Sequence, residues 1–229
     1  MRIFSGLWAY ILLGVGVLVI GSALVGWYLY QSKLNQQTYS NEFSEAFDHP
    51  ERISKLICRN DSMEKLPPQL EALKNLKILN VGRNRLQELP PSLGELNTLR
   101  ELHLNNNQFQ RIDLDFSGMD SLQIVSINNN QLREFPTGLY NAPNLRELHL
   151  SGNKIERIDP AIGQLKKLEV LDLAMNQIDT LPPGILELKN LKRLHMSGNP
   201  LTHYPEGIDQ MPRMEQFLYG DLNADFEDF

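Results

Sequence analysis

The chain has 229 residues, and its 28 acidic side chains outnumber the 22 basic ones, which gives a formal net charge of -6 at pH 7. Nucleic-acid partners are usually held by a clustered basic face, and no run of Lys or Arg is present, so we expect no nucleic-acid partner. The single cysteine, Cys58, excludes an intramolecular disulfide and a zinc site built from several thiolates. Length and composition predict one folded domain with an appendage, held together by packing.

The N-terminal segment predicts a transmembrane anchor over residues 1–31. Residues 3–30 contain no charged side chain, and about 20 apolar residues are enough to cross the hydrocarbon core of a bilayer. Aromatic residues, which favour membrane interfaces, stand near both ends of the stretch: Trp8, Tyr10, Trp27, Tyr28 and Tyr30. A cleaved signal peptide is the alternative, because Gly21 and Ala23 resemble a small-residue cleavage site, although its apolar region is normally about 7 to 15 residues long.

The charges beside this segment predict its orientation. Arg2 and the amino terminus precede the segment, whereas Lys33 follows it and the next charges are acidic: Glu42, Glu45 and Asp48. Since positively charged flanks tend to remain in the cytoplasm, we expect the N-terminus there and the rest of the chain outside, in the periplasm if the cell is Gram-negative. The chain is therefore expected to be a single-pass membrane protein with a signal-anchor.

Residues 32–52 are predicted to form a polar linker and a short N-terminal capping helix. Ser40 or Asn41 is suited to accept hydrogen bonds from the first turn of this helix, and Pro50 ends it. Three apolar side chains share one face of the helix: Phe43, Ala46 and Phe47. We expect this face to cover the first turn of the domain that follows.

From residue 53 onward the chain repeats with a period of 23 residues. The first position of the unit is occupied by Leu76, Leu99, Leu122, Leu145, Leu168, Leu191 and Met214. Eight residues after each of the first six stands an asparagine: Asn84, Asn107, Asn130, Asn153, Asn176 and Asn199. The unit L-x-x-L-x-L-x-x-N-x-L, which reads LRELHLNNNQF from Leu99, resembles the leucine-rich-repeat family, and the resemblance covers residues 53–219.

The unit also predicts its own local structure. Its fourth and sixth positions are apolar and alternate with polar residues, which is typical of a short strand with one buried face. Each turn should therefore contribute one parallel strand. The asparagine is expected to be buried and to bond backbone groups of the turn after the strand, so that its loss costs about 1 to 3 kcal/mol for each polar atom left unpaired.

The second half of most units carries a Leu-Pro-Pro motif, as at residues 89–91 and 181–183. Two prolines exclude a strand but permit an irregular or short helical return. With the 23-residue length, this motif is similar to the Ras-suppressor-like class, which includes many bacterial proteins. The resemblance implies an α/β leucine-rich-repeat solenoid with a concave parallel β-sheet and irregular or short helical convex returns, used for protein recognition. Residues 112–119 lack the prolines and residues 158–165 keep only Pro160, but the register is expected to hold.

Both ends of the repeat array depart from the consensus. In the first turn Cys58 takes the buried sixth position, where we expect an inert core thiol, and Asp61 stands in place of the asparagine. Residues 220–229 form an acidic C-terminal tail with four acids and no base. Because a solenoid exposes its core at its ends, we interpret the tail as a frayed cap, with an interaction tail as the alternative.

The third and fifth positions of each unit are predicted to face solvent on the concave sheet, and we predict that they bind the partner. The third positions are Ile78, Glu101, Ile124, Glu147, Val170 and Arg193. The fifth positions are Asn80, His103, Ser126, His149, Asp172 and His195. Apolar and charged turns alternate in the third row, and LRELHL occurs twice, which indicates duplication of a double unit. Strand propensity alone is the competing explanation for the β-branched residues.

The histidines of the fifth row raise the question of a metal site. His103 and His149 stand two turns apart, about 10 Å between backbones, whereas zinc–nitrogen bonds are about 2 Å long. His149, Asp172 and His195 form a better trio, but no fourth ligand is evident. We therefore expect solvated histidines and no metal.

The residues indicate a binding protein rather than an enzyme. No nucleophile stands beside a base and no pair of carboxylates marks a cleft, so we expect no catalysis, no cofactor and no small-molecule substrate. We predict a membrane-anchored scaffold that binds a protein partner on the concave face of the solenoid. The alternative is a secreted structural or adhesive module, formed after cleavage of a signal peptide.

Overall fold

The computed structural model describes residues 50–59, 63–66 and 68–220. The predicted transmembrane segment, most of the capping helix and residues 221–229 of the acidic tail lie outside this part of the chain, as does Asp61. Among the described residues, no helix has the length and the apolar character needed to cross a bilayer. The described elements form one open parallel sheet with short helical returns.

Eight strands of three residues each form the sheet, and neighbours in the chain are neighbours in the sheet. Their bounds are Lys55–Ile57 (β1), Ile78–Asn80 (β2), Glu101–His103 (β3), Ile124–Ser126 (β4), Glu147–His149 (β5), Val170–Asp172 (β6), Arg193–His195 (β7) and Gln216–Leu218 (β8). The register advances by one repeat from strand to strand, so that Leu79 pairs with Leu102 and Leu102 with Val125. The predicted parallel solenoid is confirmed.

The core lies between the sheet and the convex returns, and the repeat positions explain why. In a strand, alternate side chains face opposite sides, so the fourth and sixth positions point inward together. In the third repeat Leu99, Leu102 and Leu104 are all fully buried. The sulfur-bearing Cys58 is buried in the same layer, at the position predicted for it.

The repeated asparagines form a buried ladder that links successive turns. The side-chain oxygen of Asn107 accepts a hydrogen bond from the backbone N–H of Leu86 at 3.0 Å. Its amide nitrogen donates to the carbonyl oxygens of Val81 and Leu104, each at 3.0 Å. The predicted role is confirmed, but each amide ties two turns together rather than one turn to itself. Five of these six asparagines are buried, and Asn199, in the last complete unit, is half-buried.

Most convex returns are short 3-10 helices, as the proline pairs predict. Their bounds are Pro68–Ala72, Pro91–Glu95, Thr137–Asn141, Pro160–Gln164 and Pro183–Glu187, and a further 3-10 helix, Pro50–Arg52, precedes β1. The return that keeps only Pro160 also forms a helix, and Asp159 caps it by accepting a hydrogen bond from the N–H of Ala161 at 2.8 Å. Residues 112–119 form no helix, and buried Phe116 and Met119 fill that turn. The strands on either side, β3 and β4, keep their register.

Candidate functional site

The concave surface of the sheet places the predicted partner-binding residues in two rows. The register aligns the third positions from Ile78 to Arg193 and the fifth positions from Asn80 to His195. Within β2, β3, β5 and β6 the outward residues are half-buried around a buried central residue. The rows form one surface because adjacent parallel strands are only about 4.8 Å apart.

Apolar side chains recur at every second strand of the third row. Ile78, Ile124 and Val170 are each half-buried, so part of every side chain faces the concave solvent. Glu101 and Glu147 stand between them in the same row. The surface therefore offers apolar contacts about 10 Å apart, separated by carboxylates.

Each of the three concave histidines lies beside a carboxylate. His103 Nε2 is 3.1 Å from Glu101 Oε2 within β3, and His149 Nε2 is 3.4 Å from Glu147 Oε2 within β5. His195 makes the equivalent contact across strands, with its Nδ1 3.3 Å from Asp172 Oδ1. Protonation of an imidazole in such a pair creates a charge-assisted hydrogen bond and neutralises the local negative charge.

Three fifth-position residues are less available than the sequence predicts. Ser126 was expected to face solvent, but it is buried with 6% exposure because its hydroxyl donates to Asn105 Oδ1 of the preceding turn at 2.8 Å. Asn80 and Asp172 accept hydrogen bonds from backbone N–H groups two residues further along their own turns, at 3.1 Å in each case. The expectation that Ser126 faces solvent is therefore wrong, because its hydroxyl is bonded within the stacked turns.

The seventh and eighth positions also border the concave face, and sequence reasoning missed them. Asn105 Oδ1 accepts from the N–H of Asn128 at 2.7 Å, and Asn128 Oδ1 accepts from the N–H of Ser151 at 2.8 Å. The eighth position has positive φ in all six central units: Arg83, Asn106, Asn129, Gly152, Met175 and Gly198. Asparagine and glycine tolerate this left-handed conformation best, so their recurrence there was the available signal.

The sequence matches the family model described as leucine rich repeat over residues 74–132, 97–155 and 143–201. Together these matches cover residues 74–201, more than half of the chain. The chain belongs to the leucine-rich-repeat family. A search of curated proteins finds no match to it.

Solved leucine-rich-repeat structures share the fold. A leucine-rich-repeat protein of Leptospira interrogans is 25% identical with a TM-score of 0.64, and the match covers 80% of this chain and 58% of that one. The ectodomain of the Arabidopsis thaliana membrane receptor kinase GASSHO1/SCHENGEN3, solved with CASPARIAN STRIP INTEGRITY FACTOR 2, is 26% identical with a TM-score of 0.62. That match covers 75% of this chain and 22% of the receptor. This leucine-rich-repeat chain thus spans less than two thirds of each.

A TDR receptor is similar in fold alone, with 21% identity and a TM-score of 0.62 over 78% of this chain and 37% of that one. This similarity concerns the solenoid fold and no other property of the leucine-rich-repeat protein described here.

The concave face of the repeat domain contains a depression of about 310 Å³ at its C-terminal half. Val170 and Leu218 supply apolar walls, and His149 and His195 supply imidazoles. Arg193 also lines it, exposed to solvent and without an ion pair to any residue within the described ranges. In this depression the predicted site residues lie beside Gln216 and Leu218 of β8.

A larger groove of about 660 Å³ lies away from the concave rows, beside the second and third repeats. Pro90 and Pro91 line it together with two exposed ion pairs, Lys65–Glu88 at 2.9 Å and Arg111–Asp113 at 2.6 Å. The hydrogen bond that Glu88 accepts from Lys65 lowers the pKa of the Glu88 carboxyl. None of the predicted partner-binding residues reaches this groove.

His149, Asp172 and His195, the trio weighed above as metal ligands, do not converge in the repeat domain. His149 contacts Glu147, whereas Asp172 contacts His195. Across residues 50–59, 63–66 and 68–220, no three His, Cys, Asp or Glu side chains converge as ligands of one ion. The histidines are arranged as separate pairs with carboxylates.

Proposed function

We propose that this leucine-rich-repeat chain is a membrane-anchored, non-enzymatic scaffold that binds a protein partner on its concave face. The observation that carries the proposal is the alignment of Ile78, Ile124 and Val170 with the intervening carboxylates on one concave surface. A partner with apolar side chains spaced about 10 Å apart fits this row.

The charges of the concave face favour basic groups on the partner. With neutral imidazoles, Glu101, Glu147 and Asp172 carry three negative charges along the two rows, and Arg193 stands at the C-terminal end. Lysines or arginines of a partner would compete with the histidines for these carboxylates. Electrostatic complementarity of this kind chiefly sets specificity and association rate.

The likeness to a receptor ectodomain solved with a bound factor supports a protein or peptide partner for this chain. The three Leu-Pro-Pro returns, each of which leads into a 3-10 helix beginning at a proline, support membership in the 23-residue Ras-suppressor-like class. In this proposal the residues that bind the partner are the concave third and fifth positions, with Met175 as an added contact at their border.

The proposal gives the chain four parts: an anchor over residues 1–31, a linker and cap over 32–52, the repeats over 53–219 and an acidic tail over 220–229. The anchor crosses the membrane once and holds the repeats outside the cytoplasm. If it is uncleaved, the full-length 26.2 kDa chain should stay with membranes through an alkaline wash that strips peripheral proteins. Recovery of only a shorter soluble form would favour the secreted alternative.

A comparative pull-down from detergent-solubilised membranes tests the concave site. The parent and Ile124→Asp should be used as baits, because a carboxylate in the centre of the apolar row should remove the partner while leaving the fold intact. Gln123→Asp is the matched control, since it introduces the same charge at the exposed neighbouring position. If Ile124→Asp retains the partner as well as the control does, the concave site is wrong.

The histidine–carboxylate pairs add an expectation about pH. If these pairs lie in the contact, the affinity for the captured partner should depend on pH through the charge of the imidazoles. The double variant His103→Gln, His149→Gln should flatten this dependence. An unchanged pH profile would place the contact away from β3 and β5.

A further inference from the structure

Basic side chains are concentrated on one lateral edge of the solenoid, where each convex return turns into the next strand. This basic edge consists of the twenty-second, twenty-third and second positions of the units, from residues 51–54 to residues 212–215. Its 24 positions hold ten of the 22 basic side chains of the chain but only four of the 28 acidic ones. The edge is therefore strongly positive, although the chain as a whole has a net charge of -6. The 23-residue period disperses these bases along the sequence, and the stacking of turns brings them together.

Two sets of hydrogen bonds hold the basic edge in line. At the second position, the backbone N–H of Arg100 donates to the carbonyl oxygen of Lys77 at 2.8 Å, and the N–H of Gln123 donates to that of Arg100 at 2.9 Å. At the twenty-third position, a polar side chain donates to the twenty-second residue of the preceding turn, as Thr98 Oγ1 does to the carbonyl oxygen of Lys74 at 2.7 Å. Neighbouring turns therefore present these side chains at the strand spacing of about 4.8 Å.

The two halves of the basic edge differ in how their charges are balanced. In the C-terminal half, Glu169 lies between two of the bases and pairs with both, at 2.6 and 2.8 Å. In the N-terminal half, Lys74, Lys77 and Arg100 are exposed, and none of them forms an ion pair with another residue that the structure describes. Like charges opposite each other on neighbouring strands are destabilising. The N-terminal half therefore retains a positive charge that an anionic surface would neutralise.

The chain enters the repeat domain at this same half of the basic edge. Residues 50–52 form the 3-10 helix that precedes β1, and Glu51 is the first member of the edge. The side-chain amide of Asn75 donates to the carbonyl oxygen of Glu51 at 2.6 Å, which fixes the entry point beside Lys74 and Lys77. The 49 residues that precede this helix therefore join the domain next to its unpaired bases.

We propose that the basic edge docks on the headgroups of an anionic phospholipid membrane and holds the solenoid edge-on to the surface. This inference rests on the proposed membrane anchor, which tethers the domain from the same end. Lysine and arginine donate charge-assisted hydrogen bonds to headgroup phosphates, and each basic side chain near an anionic leaflet strengthens attachment roughly fivefold.

The geometry of the sheet fits this orientation. Seven strand spacings, about 34 Å in all, separate β1 from β8, so the basic edge can lie along the membrane over the length of the domain. The concave third and fifth positions lie beside the edge and stay open to a protein partner. An acidic protein is the competing occupant of the edge, but the tether gives the headgroups a much higher effective concentration than a diffusing protein reaches.

Acetylation of lysine side chains by an uncharged reagent tests the docking, with the full chain reconstituted into nanodiscs. One set of discs contains phosphatidylcholine alone, and the other contains an equal mixture of phosphatidylcholine and phosphatidylglycerol. Lys74 and Lys77, read by mass spectrometry, should react roughly fivefold more slowly in the anionic discs. Lys154, which is exposed beyond the opposite end of β5, should react equally in both. Because the Debye length falls to about 3 Å in 1 M salt, high salt should abolish the difference.

Two charge-reversal variants separate the basic edge from the overall charge. Lys77→Glu, Arg100→Glu should remove the protection of Lys74 in anionic discs. The matched control Arg85→Glu, Arg133→Glu changes the net charge equally at exposed positions of the opposite edge and should retain that protection. Equal labelling of Lys74 in the two kinds of disc would overturn the proposal, and so would equal effects of the two variants. Protection that requires an added acidic protein would also overturn it, by assigning the edge to that protein.

The same measurement distinguishes failure of the docking from failure of the anchor. A full-length chain that incorporates into the discs but shows no lipid-dependent protection overturns the docking and leaves the anchor intact. A full-length chain that remains in solution and does not incorporate overturns both.

Discussion

The side-chain oxygen of Asn130 accepts a hydrogen bond from the backbone N–H of Phe109 at 3.2 Å, and this contact joins one turn of the solenoid to the preceding one. The amide nitrogen of Asn130 donates to the carbonyl oxygens of Leu104 and Ile127 at 3.1 and 3.2 Å. One buried side chain therefore satisfies three backbone groups that cannot reach water. Cohesion between turns depends on these amides as well as on the leucines.

Asn130→Leu should lower the free energy of unfolding by about 1 to 3 kcal/mol, because leucine leaves those backbone groups buried without partners. Gln131→Ala, at the exposed next residue, should change it by less than about 0.5 kcal/mol. Chemical denaturation followed by circular dichroism measures both. Equal midpoints would show that the asparagine amide contributes nothing beyond its volume.

Gly138→Ala should lower the free energy of unfolding by about 1 to 3 kcal/mol through overpacking. A methyl group at Gly138 would overlap the carbonyl oxygen of Leu114 in the return that lacks prolines, and backbone does not yield readily. Thr137→Ala, at the exposed preceding residue, is the control and should have little effect. A stable Gly138→Ala variant would mean that the segment around Leu114 moves aside easily.

Met175→Asn should raise stability while weakening partner binding. Met175 is 50% exposed and has a φ of 56°, a left-handed conformation that costs most non-glycine residues about 1 kcal/mol and asparagine less. Met175→Leu keeps both the strain and the apolar surface, so it should change neither property. Thermal unfolding and partner affinity are the two measurements, and a gain in stability with unchanged affinity would remove Met175 from the proposed contact.

Glu169→Gln should change how stability depends on acidity. A hydrogen bond from Lys192 at 2.6 Å, assisted by Arg146 at 2.8 Å, lowers the pKa of Glu169 below its ordinary value of 4.5. A lowered folded-state pKa stabilises the protein above pH 4.5, and this contribution is lost as the pH falls through the folded-state pKa. The variant should therefore be less stable than the parent at pH 7, with the difference shrinking below pH 4.5.

The control for this experiment is Glu215→Gln, which removes a carboxylate from the same repeat position two turns later. Glu215 is exposed and forms no ion pair with another residue in the described part of the chain. Its replacement should leave the acid dependence of unfolding unchanged. If both variants behave alike, the bridge from Arg146 through Glu169 to Lys192 does not contribute to stability.

The architecture of the repeats was readable from sequence because burial imposes its own period. Leu102 and Leu104 must both face the core, so His103 between them faces the other way, and the 23-residue spacing sets the register of the next strand. The buried asparagine followed from the same logic, since a polar residue at a fixed place in an apolar unit must satisfy backbone groups. These inferences needed only properties local to one unit.

Relations between turns required the tertiary structure. The burial of Ser126 depends on Asn105, the residue 21 positions earlier, and the contact of His195 depends on Asp172 across a strand boundary. The positive φ of Met175 likewise reflects the path that the turn must follow to stack on its neighbours, against the preference of methionine. Sequence alone determined which residues face inward, because that depends on period. Which outward residues remain exposed to solvent depends on side-chain contacts across neighbouring turns. Those contacts exist only in the folded chain.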